Sequence, residues 1–440
     1  MTGDRRPSQL LAAQLQIPPI DYSHASGSWI YGTDGKRYLD ACSGIVNVNI
    51  GHAHPRVVAA MADQAGICTY ASPGTFAATQ MEQLAAATAR AVHRPDDRVM
   101  FTPTGTHATE AAISLARLVQ RARGEEGRHK VLTTSLGYHG NSAFVLALSG
   151  HRSRRPHPDD SFGIGPAFDP PYPGHHRGCP YPVCRAECAG AVRDAIVAAG
   201  PETVAAVLME PMNGTTGGGY TPPAGYLRAL RRICDEFGVL VIHDEVLTGL
   251  GRTGLPLASH HEQDAAPDIL TLAKGLGAGY LPLAATMIAP ELADAIFASG
   301  RWLPLMGTMS GTPLQGRVGL AVLSVLDEIG VLDRDRMRGA AVGQAIAEAT
   351  RDLPLVTDVR GRGYFHGIEL APGTIGEALR VTRSNGLLLY PYVRFMPDGT
   401  GEGLLVAPPL NATEADLEFL GDSLRTSLAR IGEGAAVAPV

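Results

Sequence analysis

The run VLVIHDEV at residues 239–246 is apolar for about the length of a strand and then reaches the carboxylate of Asp244. A second apolar run occupies residues 268–273 and is followed at once by Lys274. In an open α/β sheet, ligands bind in the crevice beyond the carboxyl ends of the parallel strands. The sequence therefore predicts that Asp244 and Lys274 both lie at this edge of the sheet.

The neighbouring segments favour a parallel sheet. Residues 204–209 form a buried apolar run, residues 222–237 have a helical pattern, and the connections between them are short. No G-x-G-x-x-G or G-x-x-x-x-G-K-[ST] motif opens a helix here, which disfavours a nucleotide-binding fold.

An amine and a carboxylate at one sheet edge suit pyridoxal phosphate (PLP). This cofactor needs a lysine for covalent attachment and an acidic partner for its ring nitrogen. A buried ion pair that only supports the fold is the alternative, and these two runs alone do not separate the two interpretations.

Two motifs carry a resemblance to a known family: HDEVLTGLGRTG at residues 243–254 and LAKGLGAGYLPLAA at residues 272–285. They resemble the core signature of the class III PLP-dependent aminotransferases, the group of ornithine, GABA and omega-aminotransferases. The resemblance covers about residues 29–424, because further motifs follow in the family's order. It implies an α/β protein of PLP-dependent transferase fold type I, with a mostly parallel central sheet and a smaller α+β domain. The implied parts are an N-terminal segment (1–60) that packs with the small domain, a large cofactor-binding domain (61–320) and a C-terminal small domain (321–440).

The resemblance also implies roles around the cofactor ring. Lys274 would bind PLP covalently and then act as the base that moves the substrate proton. Asp244 would keep the ring nitrogen protonated. Tyr138 and Val246 would pack on opposite faces of the ring, and His139 would belong to the same cofactor-binding group.

The phosphate of the cofactor is expected at a helix N-terminus. A short strand at residues 98–101 leads into a Gly-Thr loop and a helix, where free backbone N–H groups and the helix dipole favour an anion. Gly105 and Thr106 are the predicted ligands, and His107 replaces the glutamate that is usual in the family. By resemblance, Thr308 would bind the phosphate of the neighbouring subunit, which implies a homodimer with shared active sites.

Three residues, Ile45, Val46 and Arg394, are candidates for the substrate side of the pocket, and Glu210 belongs to the cofactor-binding group. Ile45 and Val46 match pocket-lining positions in relatives, although simple core packing explains them equally well. The resemblance places Glu210 at the cofactor pocket. Arg394 precedes a Pro-Pro-Leu motif and is a candidate for a movable, carboxylate-binding arginine, with a solvated loop arginine as the alternative.

Composition excludes several classes of function. The chain has 440 residues, a net charge of -6 and a pI near 6.2, so it offers no basic surface for nucleic acid. No apolar run is long enough to span a membrane, and a cytoplasmic protein is expected.

The six cysteines are not a disulfide framework in so long a chain. Cys179, Cys184 and Cys188 lack the C-x2-C spacing of zinc sites, so we expect free thiols and no metal.

Three functions are compatible with the sequence. The first is an aminotransferase that moves an amino group from an amine, omega-amino acid or amino acid to a keto acid, aldehyde or ketone in a ping-pong reaction. The alternative is another PLP reaction on the same fold, such as that of an aminomutase, racemase or lyase. A catalytically silent binding protein is the third, and intact Lys274 and Asp244 argue against it.

Overall fold

A computed structural model describes residues 19–73, 75–149, 167–168, 186–301, 307–333, 336–393 and 401–435. Its largest sheet has six strands in the order β4-β9-β8-β7-β6-β5. The strands of this sheet are β4 (Arg98–Thr102), β5 (Lys130–Thr133), β6 (Val204–Met209), β7 (Leu240–Asp244), β8 (Ile269–Leu272) and β9 (Ala284–Ile288). The pairs β5–β6, β6–β7 and β7–β8 are parallel, whereas β9 is antiparallel to both of its neighbours. The sheet is thus mostly parallel, as the sequence predicts.

Helices cover both faces of this sheet, so its central strands are apolar throughout. Along β7, Leu240 and Ile242 pack in one buried cluster, which includes residues of helix α4 (Gly105–Ala122). Val241 points to the opposite face and packs in a second cluster with residues of helix α7 (Tyr226–Phe237). The alternation follows from the two-residue period of a strand.

Two four-stranded sheets flank the large one, with strand orders β1-β2-β3-β12 and β10-β11-β14-β13. Their strands are β1 (Tyr22–Ser26), β2 (Trp29–Gly32), β3 (Arg37–Asp40), β10 (Val356–Arg362), β11 (Phe365–Leu370), β12 (Leu387–Leu388), β13 (Tyr390–Val393) and β14 (Glu402–Val406). Strand β3 pairs with β12, so the N-terminal segment shares a sheet with a strand from the last quarter of the chain.

The remaining helices are α1 (Ser43–Val46), α2 (Pro55–Ile67), α3 (Thr79–Ala91), α5 (Ala143–Ala147), α6 (Gly190–Ala199), α8 (Pro290–Ala298), α9 (Pro313–Glu328), α10 (Arg336–Thr350), α11 (Ile375–Ser384) and α12 (Glu414–Ala435). Among the described residues, no helix combines the length and apolar character needed to cross a membrane.

One cysteine differs from expectation. Cys188 is bonded in a disulfide, whereas a free thiol is expected from the sequence. The residue count was misleading here, because a long chain with few cysteines can still contain a disulfide. Cys179 and Cys184 lie outside the described residues. No cluster of three possible metal ligands occurs in the described ranges.

Candidate active site

A cavity of about 620 Å³ opens at the carboxyl ends of β6, β7 and β8. Each strand contributes an ionisable residue at or just after its end: Glu210 follows β6, Asp244 ends β7 and Lys274 comes two residues after β8. All three side chains line the cavity. The parallel arrangement of the strands is what brings residues so far apart in sequence to one place.

Asp244 is held by several hydrogen bonds. Its Oδ2 accepts one from His139 Nδ1 at 2.8 Å, and its Oδ1 accepts one from Thr271 Oγ1 at 3.2 Å. The backbone N–H of Val246 also donates to Oδ1, at 3.1 Å. His139 is itself held, since Thr133 Oγ1 lies 3.1 Å from its Nε2. The carboxylate therefore has a fixed orientation at the cavity wall.

The surroundings of the Lys274 amine favour its neutral form. Burial is the main cause that lowers its pKa, to about 8, while the charges of Glu210 and Asp244 oppose the shift and that of Arg252 assists it. The Lys274 backbone has a φ of 39°, a left-handed conformation that is uncommon for a residue other than glycine. Near neutral pH, an appreciable fraction of the amine is uncharged and can act as a nucleophile or base.

Glu210 connects two loops at the cavity. Its Oε2 accepts hydrogen bonds from the Tyr138 N–H at 3.1 Å and from Asn213 Nδ2 at 2.9 Å, and its Oε1 accepts one from the Gly214 N–H at 3.1 Å. Burial raises the pKa of Glu210 to about 7, and the charge of Asp244 acts in the same direction. The carboxyl group therefore changes protonation near neutral pH.

The opposite end of the cavity is formed by the start of α4. Thr104 caps this helix by accepting a hydrogen bond from the His107 N–H at 3.3 Å, and its hydroxyl lies 2.7 Å from His107 Nδ1. The histidine thus preserves the cap. Gly105 allows the start of α4 to pack closely against Val246. A Cβ at this position would lie only 2.9 Å from Val246 Cγ1. The unpaired N–H groups of this first turn form a cradle for an anion.

The remaining predicted residues lie elsewhere. Val46 is fully buried in an apolar cluster with Leu247, which itself lines the cavity, so Val46 lies behind the wall. Ile45 is 53% exposed, and Thr308 is also exposed. Neither residue lines the cavity of this chain. Arg394 lies outside the described residues.

Four polar residues of the cavity wall were not identified from the sequence: Asn47, Asn141, Thr215 and Tyr280. Two of them lie close to predicted residues, since Asn47 comes next after Val46 and Asn141 comes two residues after His139. Asn141 accepts a hydrogen bond from Thr106 Oγ1 at 3.1 Å. This proximity in sequence is the signal that would have found both.

Comparisons with known proteins agree with this geometry. The family model described as aminotransferase class-III matches residues 11–426. The uncharacterized aminotransferase YodT of Bacillus subtilis is 31% identical over 427 residues, which cover 94% of this chain and 96% of that protein. The acetylornithine aminotransferase of Mycobacterium leprae is 34% identical over 442 residues, which cover 99% and 98%. The structure of an amine transaminase from an uncultivated Pseudomonas species, in its PLP-bound form, has a TM-score of 0.86 and 29% identity, with 98% of this chain and 99% of that chain covered.

Proposed function

Because the chain belongs to the class III aminotransferases, we propose that Lys274 binds the cofactor covalently and moves the substrate proton during transamination. The enzyme is a PLP-dependent aminotransferase and acts on small-molecule amine and keto substrates. The observation that carries the proposal is the burial of the Lys274 amine in the cavity that Asp244 and the start of α4 also line.

The residues of the cavity fit the cofactor. When bound, PLP supplies an electron sink that stabilises negative charge on the carbon next to the amino nitrogen. Asp244 would hold the proton on the ring nitrogen, because His139 and Thr271 fix the carboxylate while it still faces the cavity. Tyr138 and Val246 would enclose the flat ring, and both line the cavity.

The start of α4 would hold the phosphate. The N–H groups of Gly105 and Thr106 belong to the first turn of the helix, whose dipole favours an anion. Because Gly105 has no side chain, the first turn of α4 can lie close to Val246. Thr106 is fixed by Asn141, so this end of the site is preorganised.

Lys274 would act as the base after it has been released from the cofactor. Burial lowers the pKa of the amine to about 8, which is close to the working pH of most enzymes. A lysine with its ordinary pKa would remain protonated and could not accept the proton. The two half-reactions would then follow each other in a ping-pong order.

The charge of the cavity bears on the substrate. Among the described residues that line the cavity, Lys274 and His139 have side chains that can carry a positive charge. His139 already forms a hydrogen bond with Asp244. A substrate carboxylate would therefore need a cation from elsewhere, and Arg394 is our candidate. Donors without a carboxylate near the amino group would need no such partner. Ile45 and Val46 remain candidates for the substrate-side wall. Val46 would act indirectly, because it packs against Leu247, which lines the cavity.

We extend the proposal to assembly and domains. Thr308 would reach the phosphate in a neighbouring subunit of a homodimer, which agrees with its exposure and its distance from this chain's own cavity lining. The division into 1–60, 61–320 and 321–440 is supported by the pairing of Leu39 with Leu387. A cytoplasmic location belongs to the same proposal, and fractionation of cells that express the tagged chain would test it.

Reduction with borohydride tests the role of Lys274 directly. The chain contains three lysines, Lys36, Lys130 and Lys274, so a reduced cofactor adduct can be assigned by peptide mapping without ambiguity. We expect the adduct on Lys274 alone, and bleaching of the cofactor absorbance by an amine donor in the absence of an acceptor. An adduct on Lys36 or Lys130, or the lack of any adduct after reconstitution with PLP, would contradict the proposal.

A further inference from the structure

Arg252 is fully buried in the segment that follows β7. Its Nη1 donates a hydrogen bond to the Pro408 carbonyl at 2.6 Å, and its Nη2 donates to Asn49 Oδ1 at 2.6 Å and more weakly to Ser43 Oγ at 3.5 Å. Within the described part of the chain, all of these acceptors are uncharged. The charge of Asp40 favours the charged guanidinium, but none of the hydrogen-bond acceptors named above is a carboxylate. Burying a cation in this way is costly, so general support of the fold does not explain the choice of arginine here.

Asn49 connects Arg252 to the residue after Lys274. The Asn49 side chain lies so close to Gly275 that a Cβ on this glycine would collide with Asn49 Nδ2. The amide thus rests directly on the backbone that carries Lys274. This backbone is in the left-handed conformation, which persists in a residue with a side chain only when its surroundings impose it.

We propose that Arg252 is a positioning residue for Lys274: its guanidinium holds the Asn49 amide against Gly275, and this contact fixes the turn that directs the lysine amine into the cavity. The inference rests on the proposed role of Lys274 as the attachment residue. Arg252 touches neither substrate nor cofactor in this arrangement and acts through Asn49.

The charge of Arg252 has a second effect on the same amine. Burial is the main cause of the low pKa of Lys274, and the positive charge of Arg252 adds to it, whereas Glu210 and Asp244 oppose it. Burial also lowers the pKa of Arg252 itself, to about 9, which leaves the guanidinium charged at neutral pH. Arg252 therefore favours both the position and the neutral form of the lysine.

Two substitutions separate these effects. Arg252→Met removes the hydrogen bonds and the charge, whereas Asn49→Ala removes the contact with Gly275 and leaves the charge in place. Arg128→Met is the matched control, because Arg128 also donates to two backbone carbonyls, those of Pro201 and Val204, at 3.0 Å each, but at the far ends of the strands. Thermal unfolding confirms that each variant is folded.

The first measurement is trace acetylation of the full-length, cofactor-free chain across pH, with Lys36 and Lys130 as internal references. We expect the Lys274 labelling midpoint to rise by about one pH unit in Arg252→Met and to stay near that of the wild type in Asn49→Ala. The control should leave it unchanged. A midpoint in Arg252→Met equal to that of the wild type would overturn the electrostatic part.

The second measurement is the rate at which added PLP is captured by Lys274, trapped with borohydride. Both single variants should capture it about 10- to 100-fold more slowly, since they lose the same positioning contact. The double variant should be no slower than Arg252→Met, because the two residues act in series. Independent, multiplying losses in the double variant, or capture by Asn49→Ala at the wild-type rate, would overturn the inference.

The outcomes also separate this inference from the proposed function. If the wild-type adduct is not on Lys274, the attachment role fails whatever the variants do. If the adduct is on Lys274 and the variants match the wild type, the role of Arg252 alone fails. Should Arg252→Met not fold, Asn49→Ala decides the positioning step by itself.

Discussion

His139 donates a hydrogen bond to Asp244 across 2.8 Å, and both side chains are shielded from solvent. Ionised Asp244 can only accept, so the proton lies on His139 Nδ1. The second ring nitrogen of His139 faces the Thr133 hydroxyl at 3.1 Å. The two residues form one buried unit, in which the histidine decides how the carboxylate is presented to the cavity.

Replacing His139 with leucine should therefore damage the site. The change leaves a buried carboxylate without its shortest hydrogen bond, so we expect kcat to fall about 10- to 100-fold. The free energy of unfolding should fall by about 1–3 kcal/mol. Steady-state kinetics and urea unfolding measure the two effects.

His243 provides the control for this substitution. It is also buried, next to Asp244 in sequence, but neither of its ring nitrogens has a hydrogen-bond partner among the described residues. Burial lowers its pKa to about 3, so it is neutral. His243→Leu should keep both activity and stability near wild type, and equal damage in the two variants would refute a specific role for His139.

Replacing Lys274 with methionine should stabilise the cofactor-free protein below pH 8. The unfolded chain holds this proton up to the ordinary pKa of 10.5, whereas the folded chain holds it only up to about 8. Protons therefore favour unfolding in this window, and below pH 8 the full penalty of about 3 kcal/mol applies. Urea unfolding at pH 7 and pH 9.5 should show a stability gain for Lys274→Met that shrinks at the higher pH. A constant difference would mean that the lysine pKa is not lowered.

Gly105→Ala should weaken cofactor binding. The added Cβ would lie 2.9 Å from Val246 Cγ1, so the turn that carries the proposed phosphate-binding N–H groups would have to shift. Overpacking of this kind costs about 1–3 kcal/mol, which corresponds to a roughly 5- to 150-fold higher Kd for PLP. Gly190→Ala is the control, because Gly190 also begins a helix but has no atom within 4 Å of an added Cβ. Fluorescence titration of the cofactor-free variants distinguishes the two.

Active sites shared between subunits predict complementation. Lys274→Ala and Thr308→Asp chains should each be inactive as pure dimers, because one loses the amine and the other brings a negative charge to the phosphate. After unfolding and refolding together in equal amounts, about a quarter of the wild-type activity should return, since half of the dimers then contain one intact site. Mixed samples that stay inactive would contradict the shared site.

The sequence predicted the parts of the site that are defined by strand ends. Asp244 and Lys274 stand near the ends of apolar runs, and the parallel connections bring them together. Strand β7 is nevertheless shorter than the apolar run at residues 239–246. It ends at Asp244, whose side chain accepts a hydrogen bond from the Val246 N–H. The helix expected at residues 222–237 begins later, at Tyr226, because Gly225 adopts a left-handed conformation before it.

Contacts between distant segments were not predictable from local pattern. The burial of Val46 behind Leu247 and the approach of Asn49 to Gly275 are contacts between residues about 200 positions or more apart in the chain. A local motif was sufficient where both partners are close in sequence. Thr413 and Asp416, three residues apart, form a reciprocal cap at the start of α12, with hydrogen bonds of 2.9 and 3.2 Å.

The hydrogen bond from Arg252 to the Pro408 carbonyl also sets an order of events during synthesis. The nascent chain emerges at about 5–20 residues per second and its earlier parts fold first. Asn49 and Lys274 leave the ribosome well before Pro408, so Arg252 gains this acceptor only long after residues 49–275 have been made. A segment more than 100 residues beyond Lys274 is therefore needed to complete the hydrogen bonds of Arg252.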